Sequence, residues 1–326
     1  MNRRSFLKIA PVGLSAGFVS CSKKSDSAPG TGPIRFGHFP NITHIQALVA
    51  HNLSRQGKGW FEERLGRTIE WHHYNAGPSA IEAIFSKSLD VTYIGPSPVL
   101  NAFNKSKGTE CRILAGAANG GSALIVRPGA GIQKPEDFRG KKLATPQLGN
   151  TQDVQARAWL VEHGFHITQT GGDVTVVPTQ NPDQISLFMN GHIDAVWTAE
   201  PWASRLELEA GGKVFLEDKE TNVTLLAARS AFIQEQGETA KKLAAAHREL
   251  TDWVLAHPAE TRAMVKDELK LLIGSSPSDE LYDKALARTV LTNEISRPSL
   301  DHMVASAQKA GYLKDIPALD PLLPSL

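Results

Sequence analysis

The sequence predicts an α/β protein of two lobes with a helical C-terminal segment. Short apolar runs alternate with helical segments along residues 34–217, which is the pattern of βαβ units that build a parallel sheet. About 300 residues follow a short N-terminal segment, more than one hydrophobic core usually serves. From Gln234 onward the apolar spacing is almost entirely helical. These three observations together predict the fold class.

Three strand-to-helix units are predicted to open the first lobe. In each unit a strand ends in small, polar or proline-containing residues that favour a helix start. The three strands and their helices are predicted at 34–39 and 45–53, 68–74 and 80–87, and 90–94 and 99–105. A fourth strand is predicted at 112–117, and residues 123–126 are expected to make the first crossing between lobes.

The second lobe is predicted to begin with a strand, a tight turn and a helix in segment 141–159. Gly149 lets the backbone approach a ligand, and Asn150 or Thr151 can cap the helix. The first N–H groups of that helix have no intrahelical partner, so the helix start favours an oxyanion. The remaining strands of this lobe are predicted at 174–178, 193–198 and 213–217, and its helices at 184–190 and 202–210.

Residues 222–228 are expected to return the chain to the first lobe. Four helices follow, predicted at 239–257, 260–272, 278–290 and 299–309. The predicted domain boundaries are therefore 33–123 with 227–326 for a discontinuous first lobe, and 124–226 for the second lobe. In all parallel units, ligand sites are expected beyond the carboxyl ends of the strands.

The N-terminal segment is predicted to direct export. Residues 2–8 (NRRSFLK) match the twin-arginine export pattern, and the apolar run after them is too short to span a bilayer. Residues 18–21 (FVSC) resemble a lipobox, which makes Cys21 the predicted lipidation site. Residues 1–21 are therefore predicted to be a signal, and 22–32 a flexible polar tether. The mature protein is expected to be anchored to the membrane through its lipid.

Charge and cysteine content argue against a nucleic-acid-binding protein and against a disulfide-rich protein. Removing residues 1–21 takes away Arg3, Arg4 and Lys8 and leaves 32 basic against 34 acidic residues. This near-neutral balance gives no basic surface for nucleic acid. Besides Cys21 the chain has one cysteine, Cys111, expected to be a buried apolar residue rather than half of a disulfide. No Cys/His cluster has metal-ligand spacing, so neither a metal nor another cofactor is predicted.

Five segments resemble a known family of transport proteins, in the order in which the family has them. They are GHFPNITHIQALVA (37–50), NAGPSAIEA (75–83), GPSP (95–98), RGKKLATPQLGNTQDV (139–154) and GHIDAVWTAEPWASRLELEAGGKV (191–214). The chain resembles the nitrate/sulfonate/taurine-type substrate-binding proteins of ABC importers over essentially its whole mature length. The resemblance implies a type II periplasmic-binding fold, two lobes joined by two crossing strands, with a ligand in the cleft. It also implies a monomer that partners a membrane permease and its ATPase.

The resemblance places ligand contacts on loops at the strand ends. The matching residues are Phe39, Asn41, Thr43 and His44 after the first strand, Asn75 and Gly77 after the second, Gly95 and Ser97 after the third, Asn150 and Thr151 before the second-lobe helix, and Glu200 and Trp202 at the Glu-Pro-Trp corner. None of these loops contains Arg or Lys, which argues against a strongly anionic ligand such as nitrate. Taurine-type members neutralise a sulfonate with N–H groups and hydroxyls, so a sulfonate remains open.

Individual residues suggest different roles in this site. Ser97, held between two prolines, has few structural reasons to be serine, and it is the residue that the sequence favours most as a ligand contact. His44 can donate to a ligand or simply occupy a helix start. Glu200 can accept from a ligand amine or form a salt bridge between lobes. Trp202 is a candidate for packing on the ligand, whereas Trp197 is expected in the core.

Three functions are compatible with the sequence. The first is an extracytoplasmic binding protein that closes on a small polar solute, either a sulfonate, taurine or nitrate-like anion or a thiamine-precursor pyrimidine. The second is a periplasmic lyase or synthase on the same fold, which would need His44 and Glu200 as paired acid and base. The third is a sensor domain that presents a liganded surface. The binding function is preferred because neither a nucleophile motif nor a metal set is present.

Overall fold

The computed structural model describes residues 32–315 and 318–324. The predicted signal, Cys21 and nearly all of the predicted tether lie outside these residues. Within them, the strands are β1 (Ile34–His38), β2 (Ile69–His73), β3 (Val91–Ile94), β4 (Cys111–Gly120), β5 (Ser122–Val126), β6 (Lys142–Thr145), β7 (Thr175–Pro178), β8 (Ala195–Ala199), β9 (Lys213–Asp218), β10 (Asn222–Arg229) and β11 (Thr289–Leu291).

The helices follow the predicted alternation and then dominate the C-terminal part. They are α1 (Ile45–Arg55), α2 (Trp60–Leu65), α3 (Gly77–Phe85), α4 (Pro96–Lys105), α5 (Thr151–Glu162), α6 (Asn181–Met189), α7 (Trp202–Ala210), α8 (Ser230–Glu235), α9 (Gly237–Ala256), α10 (Pro258–Ile273), α11 (Asp279–Arg288) and α12 (Arg297–Lys309). None of the helices described here combines the length and the apolar character needed to cross a bilayer.

Two mixed sheets define the two lobes. The first lobe is built on six strands in the order β11-β4-β10-β3-β1-β2, and the second on five in the order β7-β6-β8-β5-β9. The strands β1, β2 and β3 run parallel, as do β6, β7 and β8, whereas β10 and β5 pair antiparallel with their neighbours. The predicted two α/β lobes with a helical C-terminal segment are confirmed.

The chain crosses between the sheets twice, on the side of the first sheet that carries β11 and the side of the second sheet that carries β9. Gly121 joins β4 to β5, and residues 219–221 join β9 to β10. Gly121 has a φ of 65°, a conformation that glycine adopts without strain. Residues 122–126 lie wholly in the second sheet and residues 222–229 wholly in the first. The chain therefore changes sheets a few residues before the predicted lobe boundaries after residues 123 and 226. The edges that carry β2 and β7 have no covalent connection, and we call that side of the cleft its free edge.

Each sheet is covered on both faces by hydrophobic clusters. In the first lobe one cluster centres on Phe36 and Tyr93 and the other on Leu225 and Phe103. Val154, on α5 of the second lobe, is buried in the latter cluster, so the lobes share apolar contact as well as strands. Cys111 is fully buried, and this burial raises the pKa of its thiol to about 12. Its predicted role as a buried apolar residue is confirmed.

Three elements differ from the predicted pattern. The helix predicted to end at Val290 stops at Arg288, and residues 289–291 pair antiparallel with β4 as strand β11. Thr289 and Val290 are β-branched, which favours an extended backbone beside an open sheet edge. The short helices α2 and α8 were not predicted, since six residues give too little periodicity to recognise.

Candidate ligand-binding site

A small cavity lies between the lobes, where strand ends from both sheets meet. The first lobe contributes Phe39, Asn41, Thr43, His44, Asn75, Ala76, Gly77, Gly95, Pro98 and Val223. The second lobe contributes Pro146, Asn150, Thr151, Gln152, Asn181 and Ala199. The cavity volume is about 20 Å³, little more than the space of one water molecule, so the lobes have to move apart to admit a solute.

Nine of the twelve residues predicted as ligand contacts line this cavity, and three do not. Those that do are Phe39, Asn41, Thr43, His44, Asn75, Gly77, Gly95, Asn150 and Thr151. Their convergence follows from the topology, since parallel strands deliver their carboxyl ends to one side of a sheet. The direct contact of each with a ligand stays a prediction. Ser97, Glu200 and Trp202 lie outside the cavity wall.

Ser97 is buried but turned toward the opposite lobe. Its Oγ donates to the carbonyl oxygen of Gly149 at 3.3 Å, and Ser97 does not line the cavity. The two prolines beside Ser97 hold the start of α4 rigidly, as expected. They position the Ser97 hydroxyl for a hydrogen bond between the lobes. The sequence could not distinguish a hydroxyl that faces a ligand from one that faces a carbonyl across the cleft.

Glu200 forms the ion pair between lobes that the sequence left as an alternative to ligand binding. Its Oε1 lies 2.9 Å from Arg288 Nη1, and its two oxygens accept from the Ser204 N–H at 3.0 Å and the Ser204 hydroxyl at 2.9 Å. Burial raises the pKa of the Glu200 carboxyl, while Arg288 and Ser204 oppose that shift. Both oxygens are thus engaged within the protein, which favours the salt bridge between lobes. The contact of Glu200 with a ligand amine stays a prediction.

Trp202 is also engaged by another residue of the protein and does not line the cavity. The indole is fully buried, and its Nε1 donates to Asn41 Oδ1 at 2.9 Å. The bond fixes the Asn41 amide, which does line the cavity. Trp202 therefore orients a residue that lines the cavity, and its packing on the ligand stays a prediction.

The N-terminus of α5 forms one wall of the cavity. Asn150 caps the helix, because its Oδ1 accepts from the Asp153 N–H at 2.9 Å. The N–H groups of Thr151 and Gln152 have no intrahelical acceptor at this end of the helix. Thr151 is buried, and its Oγ1 has no hydrogen-bond partner. An unpaired buried hydroxyl is costly, and Thr151 therefore remains a candidate ligand contact.

Gly95 permits the close approach of the first lobe to this wall. A Cβ atom at residue 95 would lie 2.2 Å from Thr151 Oγ1, so a larger side chain would displace the hydroxyl. Gly77 has an equivalent role beside Pro98, whose Cγ would lie 2.3 Å from an added Cβ. Both glycines were predicted in the site, and both allow chain segments to meet around it.

His44 is a neutral donor on the first-lobe side. Burial, with a smaller effect from His38, holds the pKa of His44 well below its ordinary value. The Nδ1 atom of His44 accepts from the Phe39 N–H at 3.3 Å, so the proton of the neutral ring is on Nε2. His44 can therefore donate one hydrogen bond but supplies no positive charge.

The amide side chains around the cavity are engaged by other groups of the protein. Asn150 Nδ2 donates to Gln152 Oε1 at 2.9 Å, and Asn181 Oδ1 accepts from Thr198 at 3.1 Å. No Arg, Lys, Asp or Glu is among the residues that line the cavity. The groups left for a ligand are chiefly donors, namely the His44 Nε2–H, the Thr151 hydroxyl and the first N–H groups of α5.

Seven lining residues were not predicted. They are Ala76, Pro98, Pro146, Gln152, Asn181, Ala199 and Val223. Asn181 and Pro146 directly follow predicted strands, so the rule that located the other residues could have included them. Gln152 and Val223 have no such signal, because their approach to the cavity depends on how the lobes meet. No metal-binding group of His, Cys, Asp or Glu occurs in the described part of the chain.

Comparisons with known proteins agree with this architecture. The taurine-binding periplasmic protein of Escherichia coli is 26% identical over 226 residues, which cover 66% of this chain and 68% of that protein. The alkanesulfonate-binding protein SsuA from Xanthomonas axonopodis, solved with MOPS bound, has a TM-score of 0.71 at 18% identity and covers 90% of this chain and 98% of its own.

The periplasmic nitrate-binding protein NrtA from Synechocystis has a TM-score of 0.70 at 15% identity, covering 91% of this chain and 85% of its own. These structural likenesses confirm the periplasmic-binding fold. The model of the NMT1-like family matches residues 27–267. The resemblance to nitrate/sulfonate/taurine-type binding proteins is thereby confirmed, and the chain belongs to the NMT1-like family.

Proposed function

We propose that this protein is the extracytoplasmic solute-binding component of an ABC importer, and that it closes on a compact solute bearing a sulfonate or similar oxyanion. Aliphatic sulfonates, taurine and nitrate-like ions are the ligand class. The names of the taurine-, alkanesulfonate- and nitrate-binding relatives support that class. A permease and an ATPase in the membrane are the partners.

The observation that carries the proposal is the set of free donors in a cavity without charged side chains. An oxyanion accepts several hydrogen bonds and donates none, so it matches the His44 Nε2–H, the Thr151 hydroxyl and the α5 N–H groups. The partial positive charge at the start of α5 favours the anion without a cation beside it. The absence of Arg and Lys from the loops is therefore compatible with a sulfonate.

The same cavity gives little support to an enzyme. His44 is the one titratable side chain among the lining residues. Its proposed catalytic partner, Glu200, is held by Arg288 and Ser204. General acid–base chemistry needs a group that can take up or release a proton within reach of the substrate, and a neutral buried imidazole alone does not provide that pair. Binding and release are the chemistry that this site favours.

Calorimetry on the mature chain tests the ligand class. The panel contains methanesulfonate, taurine, nitrate and an aminopyrimidine, and we expect the sulfonates to bind. Thr151→Val keeps the shape of the side chain but removes the unpaired hydroxyl, so sulfonate affinity should fall roughly 2- to 12-fold, equivalent to about 0.5–1.5 kcal/mol. Binding of the aminopyrimidine alone, or unchanged affinity in Thr151→Val, would exclude the proposed recognition.

Location is part of the proposal. The periplasmic relatives support a place outside the cytoplasmic membrane, and Cys21 is proposed as the acylated anchor at the end of a twin-arginine signal. The anchored protein should fractionate with membranes and be released by Cys21→Ala. A wild-type protein found free in the soluble fraction would exclude the anchor without affecting the solute-binding role.

A further inference from the structure

We propose that Asn75 is a specificity-determining residue that acts by holding the lobes together around compact solutes, rather than by contacting the solute. The inference rests on the proposed binding function and adds a size-selection mechanism to it. Asn75 lies after β2, at the free edge of the cleft, where the two lobes have no covalent connection.

Every polar group of the Asn75 side chain is used by the opposite lobe. Its Nδ2 donates to the Pro146 carbonyl oxygen at 3.1 Å, and its Oδ1 accepts from the Asn181 N–H at 3.1 Å. The Asn181 side chain also reaches the Asn75 carbonyl oxygen at 3.5 Å. Asn75 lines the cavity, and both polar atoms of its side chain are bonded to the second lobe, which fixes the amide across the cleft.

A second pair of residues strengthens the same contact. Gln147 Nε2 of the second lobe donates to Ser79 Oγ of the first at 2.9 Å. We call Asn75, Ser79, Pro146, Gln147 and Asn181 the front clasp. Its members are neutral, and Asn75, Ser79 and Gln147 are partly accessible to water, so each bond can exchange for a bond to water when the lobes separate.

The size of the enclosed cavity makes the clasp selective. With the clasp closed, the cavity volume is about 20 Å³. A compact solute requires the smallest separation of the lobes, so the clasp bonds form around it and its affinity includes their free energy. A longer solute holds the lobes apart at the free edge, since the crossing strands fix the other edge, and the clasp bonds are then lost. Closure thus favours short solutes over long ones.

A homologous series of ligands tests this role. We would measure the affinity of methane-, ethane-, butane- and hexanesulfonate for the wild type, Asn75→Ala and the control Asn101→Ala, an asparagine on α4 outside the clasp. Asn75→Ala should bind methanesulfonate about 5- to 10-fold more weakly and hexanesulfonate less than twofold more weakly. A residue with a merely structural role would weaken the whole series equally, and that result, or no change at all, would overturn the proposal.

A ligand-free measurement separates failure of this inference from failure of the proposed function. Spin labels at Ser86→Cys and Met189→Cys, both exposed and on opposite lobes, report the lobe distance in the full chain with Cys21→Ser. The buried Cys111 should stay unlabelled. Asn75→Ala should reduce the short-distance population relative to Asn101→Ala. Identical distributions would overturn the clasp whichever solute binds, whereas failure of every sulfonate to bind the wild type would contradict the proposed ligand class.

Discussion

The two sides of the cleft are held together by different chemistry. At the edge where the strands cross, Arg288 binds Glu200, Glu207 and Glu217 of the second lobe, with N–O distances of 2.9, 2.5 and 2.9 Å. We call these four residues the rear hub. The Glu200 side chain is fully buried and that of Arg288 is 11% exposed. The front clasp at the free edge contains neutral side chains and backbone groups only.

This difference predicts which side of the cleft opens. Separating a buried ion pair leaves charges without partners, which costs far more than exchanging a neutral hydrogen bond for water. The rear hub also surrounds the crossing itself, since the Gly121 N–H donates to the Arg288 carbonyl oxygen at 2.7 Å. We therefore propose that the rear hub is the fixed side of a hinge and that the front clasp is the side that opens for solute.

The largest expected effect comes from removing the cation of the rear hub. In Arg288→Met, Glu200 stays buried without its partner and Glu207 and Glu217 repel each other, so the free energy of unfolding should fall by about 3–5 kcal/mol. Chemical denaturation measures this loss. Arg64→Met is the matched control, because Arg64 pairs with the exposed Glu249 and should cost less than about 1 kcal/mol. Equal losses in both variants would contradict the distinction between the two sides.

Acid should lower the free energy of unfolding without lowering the affinity for solute. Burial lowers the pKa of His38 to about 3 and that of His247 to about 4. Between pH 6.5 and 4 the unfolded chain therefore binds protons that the folded protein does not. The stability contributed by each neutral histidine is present above pH 6.5 and is lost as the pH falls, by about 1.4 kcal/mol per pH unit.

Solute affinity should stay constant when the pH falls from 7 to 5.5. His44 is held neutral by burial, and the front clasp has no titratable side chain. Denaturant titrations at both pH values measure stability, and calorimetry with methanesulfonate measures affinity. His247→Gln should show a shallower loss of stability than the wild type. Affinity that falls with acid would place a titrating group in the cavity or the clasp and would refute this assignment.

The sequence predicts the positions of the site better than the direction of its side chains. Polar residues after parallel strands identify Thr43, His44, Asn150 and Thr151, because the topology alone brings strand ends together. The roles of Glu200 and Trp202 depend on Arg288 and Asn41, partners 88 and 161 residues away. Local spacing contains no information on such pairs, so residues at the interface between lobes resemble ligand contacts in the sequence.

The fold shows the same division between local and distant information. The strands and helices of the βα units were predicted within a few residues, since periodicity and turn residues act locally. Strand β11 was not predicted, because Thr289–Leu291 becomes extended only beside β4. The contact between Ser97 and Gly149 likewise forms only when the two lobes meet, so the sequence did not predict it.

Ser97→Ala should weaken all sulfonates by about the same small factor. The 3.3 Å bond to Gly149 is long, so its loss should cost about 0.5 kcal/mol, roughly twofold in affinity, through slightly poorer closure. Calorimetry with methanesulfonate and hexanesulfonate measures this factor, and Thr151→Val provides the comparison. If Ser97 contacted the solute, its removal would cost as much as Thr151→Val, and the assignment of Ser97 to the lobe contact would have to be abandoned.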